Sequence, residues 1–353
     1  MPVIARMIPS PVAVIVQHGA LDSLPGILSD HRISTMGQVA VVVSAGFGGA
    51  LRARVAPLLP DAEWYTVADG TLASAVRLSN ELRRGRYDAV VGLGGGKVID
   101  AAKYAAGRIG LPTVACATNL AHDGICSPVS ILDDESGRQS VGVSCPIVAV
   151  VDLDVIHEAP SRYVASGVGE LLSNLSAVAD WELSHAETGE EIDGLATAMA
   201  RGAGHAILRH TGNVHEPGFA AQLAESLVIS GISMNIAGST RPASGACHEI
   251  SHALDTLYPT RRVQHGEQVG LGAAFASYLR GDKDLAGELV CTLRRHGLPA
   301  TAAQAGFSSA EFARAAHYAP RTRPGRFTIL EHLDLSEADL RLAYGEYLAY
   351  VDV

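Results

Sequence analysis

The stretch YDAVVGLGGGKVIDAAK, residues 87–103, reads as a strand, a glycine turn and a helix in immediate succession. The apolar run through Leu93 is too short for a helix and suits a buried strand, and the residues after Gly96 return to helical spacing. Glycines in such a turn let backbone N–H groups approach a pyrophosphate, and the N-terminus of the following helix favours an anion. Gly94, Gly95, Gly96, Lys97 and Asp100 are therefore candidate nucleotide contacts. The run is neither a Walker A loop nor GxGxxG, so a plain tight turn explains it equally well. Asp100 also suits a local cap or pair, and Lys97 and Lys103 suit solvated charges.

The same alternation extends outward. Val39–Val43, Trp64–Val67 and Pro112–Ala117 read as strands, and Ala50–Leu59 and Thr71–Arg84 as helices. Ser140–Val155 adds two extended runs divided near Pro146. Strands alternating with helices imply a parallel, doubly wound α/β sheet. From Pro160 onward helical periodicity takes over, with helices expected at Ser161–His185, Gly189–Thr211, Phe219–Ala237, Ala246–Leu257 and Gly266–Leu279. The expected organisation is a nucleotide-binding α/β domain over residues 1–159 and an all-helical, metal-binding domain over 160–353, with the active site in the cleft between them.

Composition narrows the function. The 353 residues suffice for two cores, and 48% are hydrophobic but dispersed. The longest apolar runs are too short to cross a bilayer, and the N-terminus lacks the parts of a signal peptide. A net charge of −10 argues against wrapping nucleic acid. Five scattered cysteines without a CxxC pair suit reduced thiols and a cytoplasmic enzyme. The expected partner is a small-molecule substrate, with no nucleic acid and no membrane, and a homo-oligomer is allowed.

A second informative stretch is RPASGACHEISHALDTLYPTRRVQHGEQVGLG, residues 241–272. His248-Glu249-Ile250-Ser251-His252 fits HExxH, in which two histidines on one helix face hold zinc and the glutamate is a base. The competing reading takes one histidine from this helix and adds His265. The residues alone leave both open.

Taken in order, these motifs resemble the sn-glycerol-1-phosphate dehydrogenases, within the superfamily of metal-dependent alcohol dehydrogenases and dehydroquinate synthases. The resemblance runs from GLGGGKVIDAAK (92–103) through Thr118, His122, Asp123, Gly124, Ser127 and Pro128 to PIVAVVDLDVIHEAP (146–160). It continues through SGVGELLSNLSAVADWELSH (166–185), SGISMNIAGSTRPASGACHEISHALD (230–255) and HGEQVGLG (265–272). It implies a Rossmann-like domain followed by a dehydroquinate synthase-like helical domain, NAD or NADP on the glycine loop, and a divalent metal, zinc by preference. Carried over, the metal ligands are Glu170, His248 and His265. Thr118 and Ser127 would contact cofactor, Asp123 a substrate hydroxyl, His252 the substrate or a proton, and Arg241 a substrate phosphate. Glu170 stands where the dehydrogenases carry aspartate and the synthases carry glutamate, which keeps a carbocycle-forming lyase with bound NAD as the alternative. No acid follows the strand ending at Ser44-Ala45-Gly46 to select the free 2′-hydroxyl of NAD.

Overall fold

The computed structural model describes residues 10–135, 137–216, 218–261 and 263–352. The reading of the extreme N-terminus falls partly outside them. Two compact units divide at Pro160 and Ser161.

The first unit has eight strands: β1 (Ala13–Gln17), β2 (Val39–Ser44), β3 (Glu63–Val67), β4 (Ala89–Gly94), β5 (Thr113–Ala117), β6 (Val129–Asp134), β7 (Gly137–Gly142) and β8 (Val148–Asp152). Among the described residues, five α-helices accompany them: α1 (Leu24–Leu28), α2 (Gly48–Val55), α3 (Leu72–Leu82), α4 (Gly96–Gly107) and α5 (Leu153–Glu158). Six strands form one parallel sheet in the order β1-β8-β5-β4-β2-β3. Alternate residues face opposite sides of a strand. Val39, Val41 and Val43 accordingly join one core with Leu24, Leu28 and Leu51, whereas Ala40 and Val42 join another with Leu78, Ala101 and Ala105. Helices cover both faces, so the doubly wound expectation holds. The run near Ser140 departs from it: β7 pairs antiparallel with β6 in a separate hairpin, and only β8 enters the main sheet.

The second unit contains α6 (Ser161–Thr188), α7 (Gly194–Leu208), α8 (Phe219–Ala237), α9 (Ala246–Leu257), α10 (His265–Leu279), α11 (Lys283–Arg295), α12 (Ser309–Tyr318), α13 (Ile329–Leu333) and α14 (Glu337–Val351). It has no strand among the described residues. The α7 helix starts later than its periodicity suggests, because the Asp193 carboxylate accepts from Leu195 N and Ala196 N and fixes the start there. The α8 helix is long and apolar enough to cross a membrane, but 67% of its apolar window is buried within the protein, as befits a core helix.

Candidate active site

In the first unit, β3 lies on one side of β2 and β4 on the other. The crossovers diverge at this point, and nucleotides bind outside the carboxyl ends of such strands. Gly94 ends β4, Gly95 caps α4 and Gly96 is its first residue. The Thr118 N–H donates to Gly94 O at 3.1 Å, which ties the end of β5 to this turn. Lys97 is exposed on the first turn of α4. His122 packs over Gly96 so closely that a β-carbon there would overlap its imidazole. Gly94, Gly95, Gly96, Lys97 and Thr118 thus gather between the end of β4 and the start of α4.

Two expected cofactor contacts do not present their side chains there. Asp100 is buried, pairs with Lys103 Nζ at 3.0 Å and accepts from Ile131 N at 3.2 Å, tying α4 to β6. The Ser127 hydroxyl donates to Val129 O at 3.2 Å. Both belong to the surroundings of Lys103, which is buried rather than solvated as its charge suggested. Lys103 donates to Gly124 O at 2.9 Å and to Val129 O at 2.5 Å, and so fixes the loop that carries Asp123. An Asp-x-x-Lys pair set among Ala101, Ala102, Ala105 and Ala106 was the available signal for a buried ion pair. Asp123 is itself buried and opens a short 3-10 helix over Asp123–Ile125.

In the second unit three helices converge. A β-carbon at Gly169 on α6 would overlap Gly266 O on α10, and one at Gly266 would overlap Ser166 O. Backbone therefore meets backbone, and Glu170 is carried against His265, the first residue of α10. His248 reaches the same point from the first turn of α9, whose Ala246 N–H donates to Asp180 Oδ2 of α6 at 2.8 Å. His248 Nε2 stands 3.7 Å from Glu170 Oε1, and His265 Nε2 stands 3.7 Å from Glu170 Oε2. The three donors all lie within 4.8 Å of one another. These separations are too long for hydrogen bonds but match a cation between them: bonds of about 2.1 Å in a tetrahedron place donors about 3.4 Å apart.

Two further observations fit a metal. Glu170 Oε2 is buried without a hydrogen-bond partner, a costly state that a cation would relieve. The tautomer of His265 is also set. Ser251 Oγ donates to Gln268 Oε1 at 2.6 Å, so at 3.1 Å it accepts from His265 Nδ1–H. Gln268 Nε2 in turn donates to Asp255 Oδ1 at 3.0 Å. This chain fixes the His265 ring with Nε2 facing Glu170, an arrangement that orients metal-binding histidines. His248 is buried, and burial together with Arg323 and Arg326 pushes its pKa down to about 3, which keeps the ring neutral.

The HExxH alternative fails on geometry. Glu249 is fully buried, and burial pushes its carboxyl up to about 9, with Glu331 and Asp180 adding to the rise. Its Oε2 accepts from Thr328 Oγ1 at 3.2 Å. A neutral, buried acid is no base for a water molecule. His252 lies outside the three-donor cluster, with Nε2 3.1 Å from Arg323 Nη2. In HGE the glutamate is structural, because Glu267 Oε2 accepts from Gln264 N at 3.1 Å in a capping box.

Arg241 is also corrected. It is buried, forks onto the Glu190 carboxylate, and donates to Phe327 O at 2.9 Å and Ser184 Oγ at 3.2 Å. Its charge is spent on a structural ion pair rather than held for a substrate phosphate.

A doubly wound nucleotide-type unit joined to a two-histidine, one-carboxylate cluster is the makeup of a metal-dependent NAD(P)-linked oxidoreductase. The description of the iron-containing alcohol dehydrogenase family matches residues 15–160. The NAD(P)+ glycerol-1-phosphate dehydrogenase of Thermofilum pendens is 37% identical over 93% of this chain and 94% of its own. That of Nitrosopumilus maritimus is 33% identical over 87% of each. Among solved structures, a probable glycerol dehydrogenase from Sinorhizobium meliloti 1021 superposes with a TM-score of 0.81 over 99% of both chains at 22% identity. Glycerol dehydrogenase from Schizosaccharomyces pombe gives 0.77 at 19% identity, over 99% of this chain and 91% of its own, and both show the fold. The chain belongs to the glycerol-1-phosphate dehydrogenase family, within the iron-containing alcohol dehydrogenase superfamily.

Proposed function

We propose that the protein interconverts dihydroxyacetone phosphate and sn-glycerol 1-phosphate with NAD or NADP, using zinc held by Glu170, His248 and His265. The convergence of those three donors from α6, α9 and α10 is the observation that carries the reading. When bound, the cation supplies Lewis acidity toward the substrate oxygen and the nicotinamide carries the hydride. The protein's own part is to hold the imidazoles of His248 and His265 in position with the buried Glu170 carboxylate between them. The chain from Asp255 through Gln268 and Ser251 aims His265. His252, whose Nε2 faces Arg323, is assigned to substrate orientation or proton relay, and Asp123 to a substrate hydroxyl. Gly94, Gly95, Gly96, Lys97 and Thr118 are assigned to the cofactor, and the cytoplasm is the compartment that fits such an enzyme. Glu170 and the spacing from His248 to His265 favour the lyase reading, but an extra methylene that still brings the Glu170 carboxylate to both histidines is no obstacle to a dehydrogenase. In the presence of zinc and dihydroxyacetone phosphate, the absorbance of NADH or NADPH should fall. Retention of bound NAD with phosphate release and no net reduction would instead establish the lyase.

A further inference from the structure

With Arg241 committed to Glu190, the cationic group beside the metal-type cluster comes from a part of the chain that the motifs do not cover. Arg323-Pro324-Gly325-Arg326 forms a tight turn closed by Arg326 N–H donating to Arg323 O at 3.1 Å. Proline in the second position and glycine in the third, with φ of +86°, are the features of a type II turn. The turn sets its first and last side chains next to each other. Arg323 Nη1 donates to Thr240 Oγ1 at 3.3 Å, and Arg326 Nη2 donates to the same oxygen at 2.9 Å. Arg326 Nη1 also donates to Ser244 O. Among its described hydrogen bonds, Arg326 meets only neutral oxygens, and Ser244 Oγ beside it is buried without a hydrogen-bond partner.

Two guanidiniums drawn onto one hydroxyl concentrate positive charge at one place beside His252. Burial, with Arg323 and then Arg241 beside it, pulls the Arg326 guanidinium down to about 10, against the opposing pull of the Glu249 and Glu190 carboxyls. Burial also lowers that of Arg323. An anion would offset the charge. Planar guanidiniums side by side are suited to the oxygens of a phosphate monoester. The position is appropriate too. Arg323 touches His252 Nε2, and the His252 ring lies 6.3 Å from that of the ligand His265. An anion on the arginines would thus sit one imidazole away from the metal-type cluster.

We propose that the Arg323–Arg326 turn, with Thr240, is the receptor for the phosphate of the substrate and sets the preference for phosphorylated over free polyols. The assignment of this phosphate to substrate rests on the dehydrogenase reading; the anion site itself does not. Calorimetric titration of inorganic phosphate into the full-length protein tests the site directly. Wild-type protein should bind phosphate, and Arg326→Gln should weaken binding at least about 10-fold, with Arg326→Lys in between. Circular dichroism checks that each variant folds. Equal phosphate affinity in wild type and both variants overturns the proposal, as does an absence of phosphate binding by the wild type. With zinc and reduced cofactor, the kcat/KM ratio of dihydroxyacetone phosphate over dihydroxyacetone should fall about 100-fold in Arg326→Gln, mostly through KM. An unchanged ratio with active enzyme rejects the receptor and leaves the dehydrogenase reading standing. Phosphate binding that depends on Arg326 in a protein that reduces no phosphorylated ketone rejects the dehydrogenase reading and leaves the anion site standing.

Discussion

At the scale of single residues, chemistry is decided by what each polar atom has left to offer. Arg241 has its guanidinium engaged with Glu190, Ser184 and Phe327, so it holds structure. Glu170 keeps a buried oxygen without a hydrogen-bond partner and is suited to a cation. His265 is set by a neighbour that no motif includes, because Ser251 accepts its Nδ1–H. Replacing Ser251 with alanine removes that acceptor while keeping all three donors. Metal affinity, measured by competition with a chromogenic chelator, should fall about 10- to 100-fold, as for other groups that orient a metal-bound histidine. Unaltered affinity would show that helix packing alone positions the ring. The three clustered residues were legible because Glu170 lies in SGVGELLSN, His248 in CHEISH and His265 in HGE. The hydrogen-bond chain was not, since Ser251, Gln268 and Asp255 are brought together only by the packing of α9 on α10.

At the scale of elements, glycines determine how closely α6 and α10 approach. The Gly169 and Gly266 contact leaves no room for a β-carbon on either helix. Gly266→Ala should push α10 away from α6, lowering stability by about 1–3 kcal/mol and weakening metal binding in the variant that still folds. Denaturant unfolding and the same chelator competition report the two effects separately. Helix periodicity placed α8 and α9 at their observed ends and α10 within one residue. It missed β6, whose apolar residues are interrupted by Ser130 and end in two aspartates rather than forming a continuous run like that of β2. It also passed over the Arg323–Arg326 turn, although Pro-Gly between two arginines is a type II turn signal. A pattern search for apolar periodicity does not register two cations whose importance lies in their convergence.

At the scale of the whole molecule, one chain supplies a nucleotide-type sheet and a helical metal-type cluster, each complete in its own unit. The parallel sheet follows from alternating strands and helices, and its switch point between β2 and β4 gives the glycine turn its significance. The central claim is that the metal belongs to Glu170, His248 and His265, not to the HExxH pair. Metal content by plasma mass spectrometry after zinc loading and dialysis tests it most directly. The account predicts about one zinc per wild-type chain, its loss in His265→Ala, and its retention in His252→Ala. Zinc retained by His265→Ala and lost from His252→Ala would contradict it.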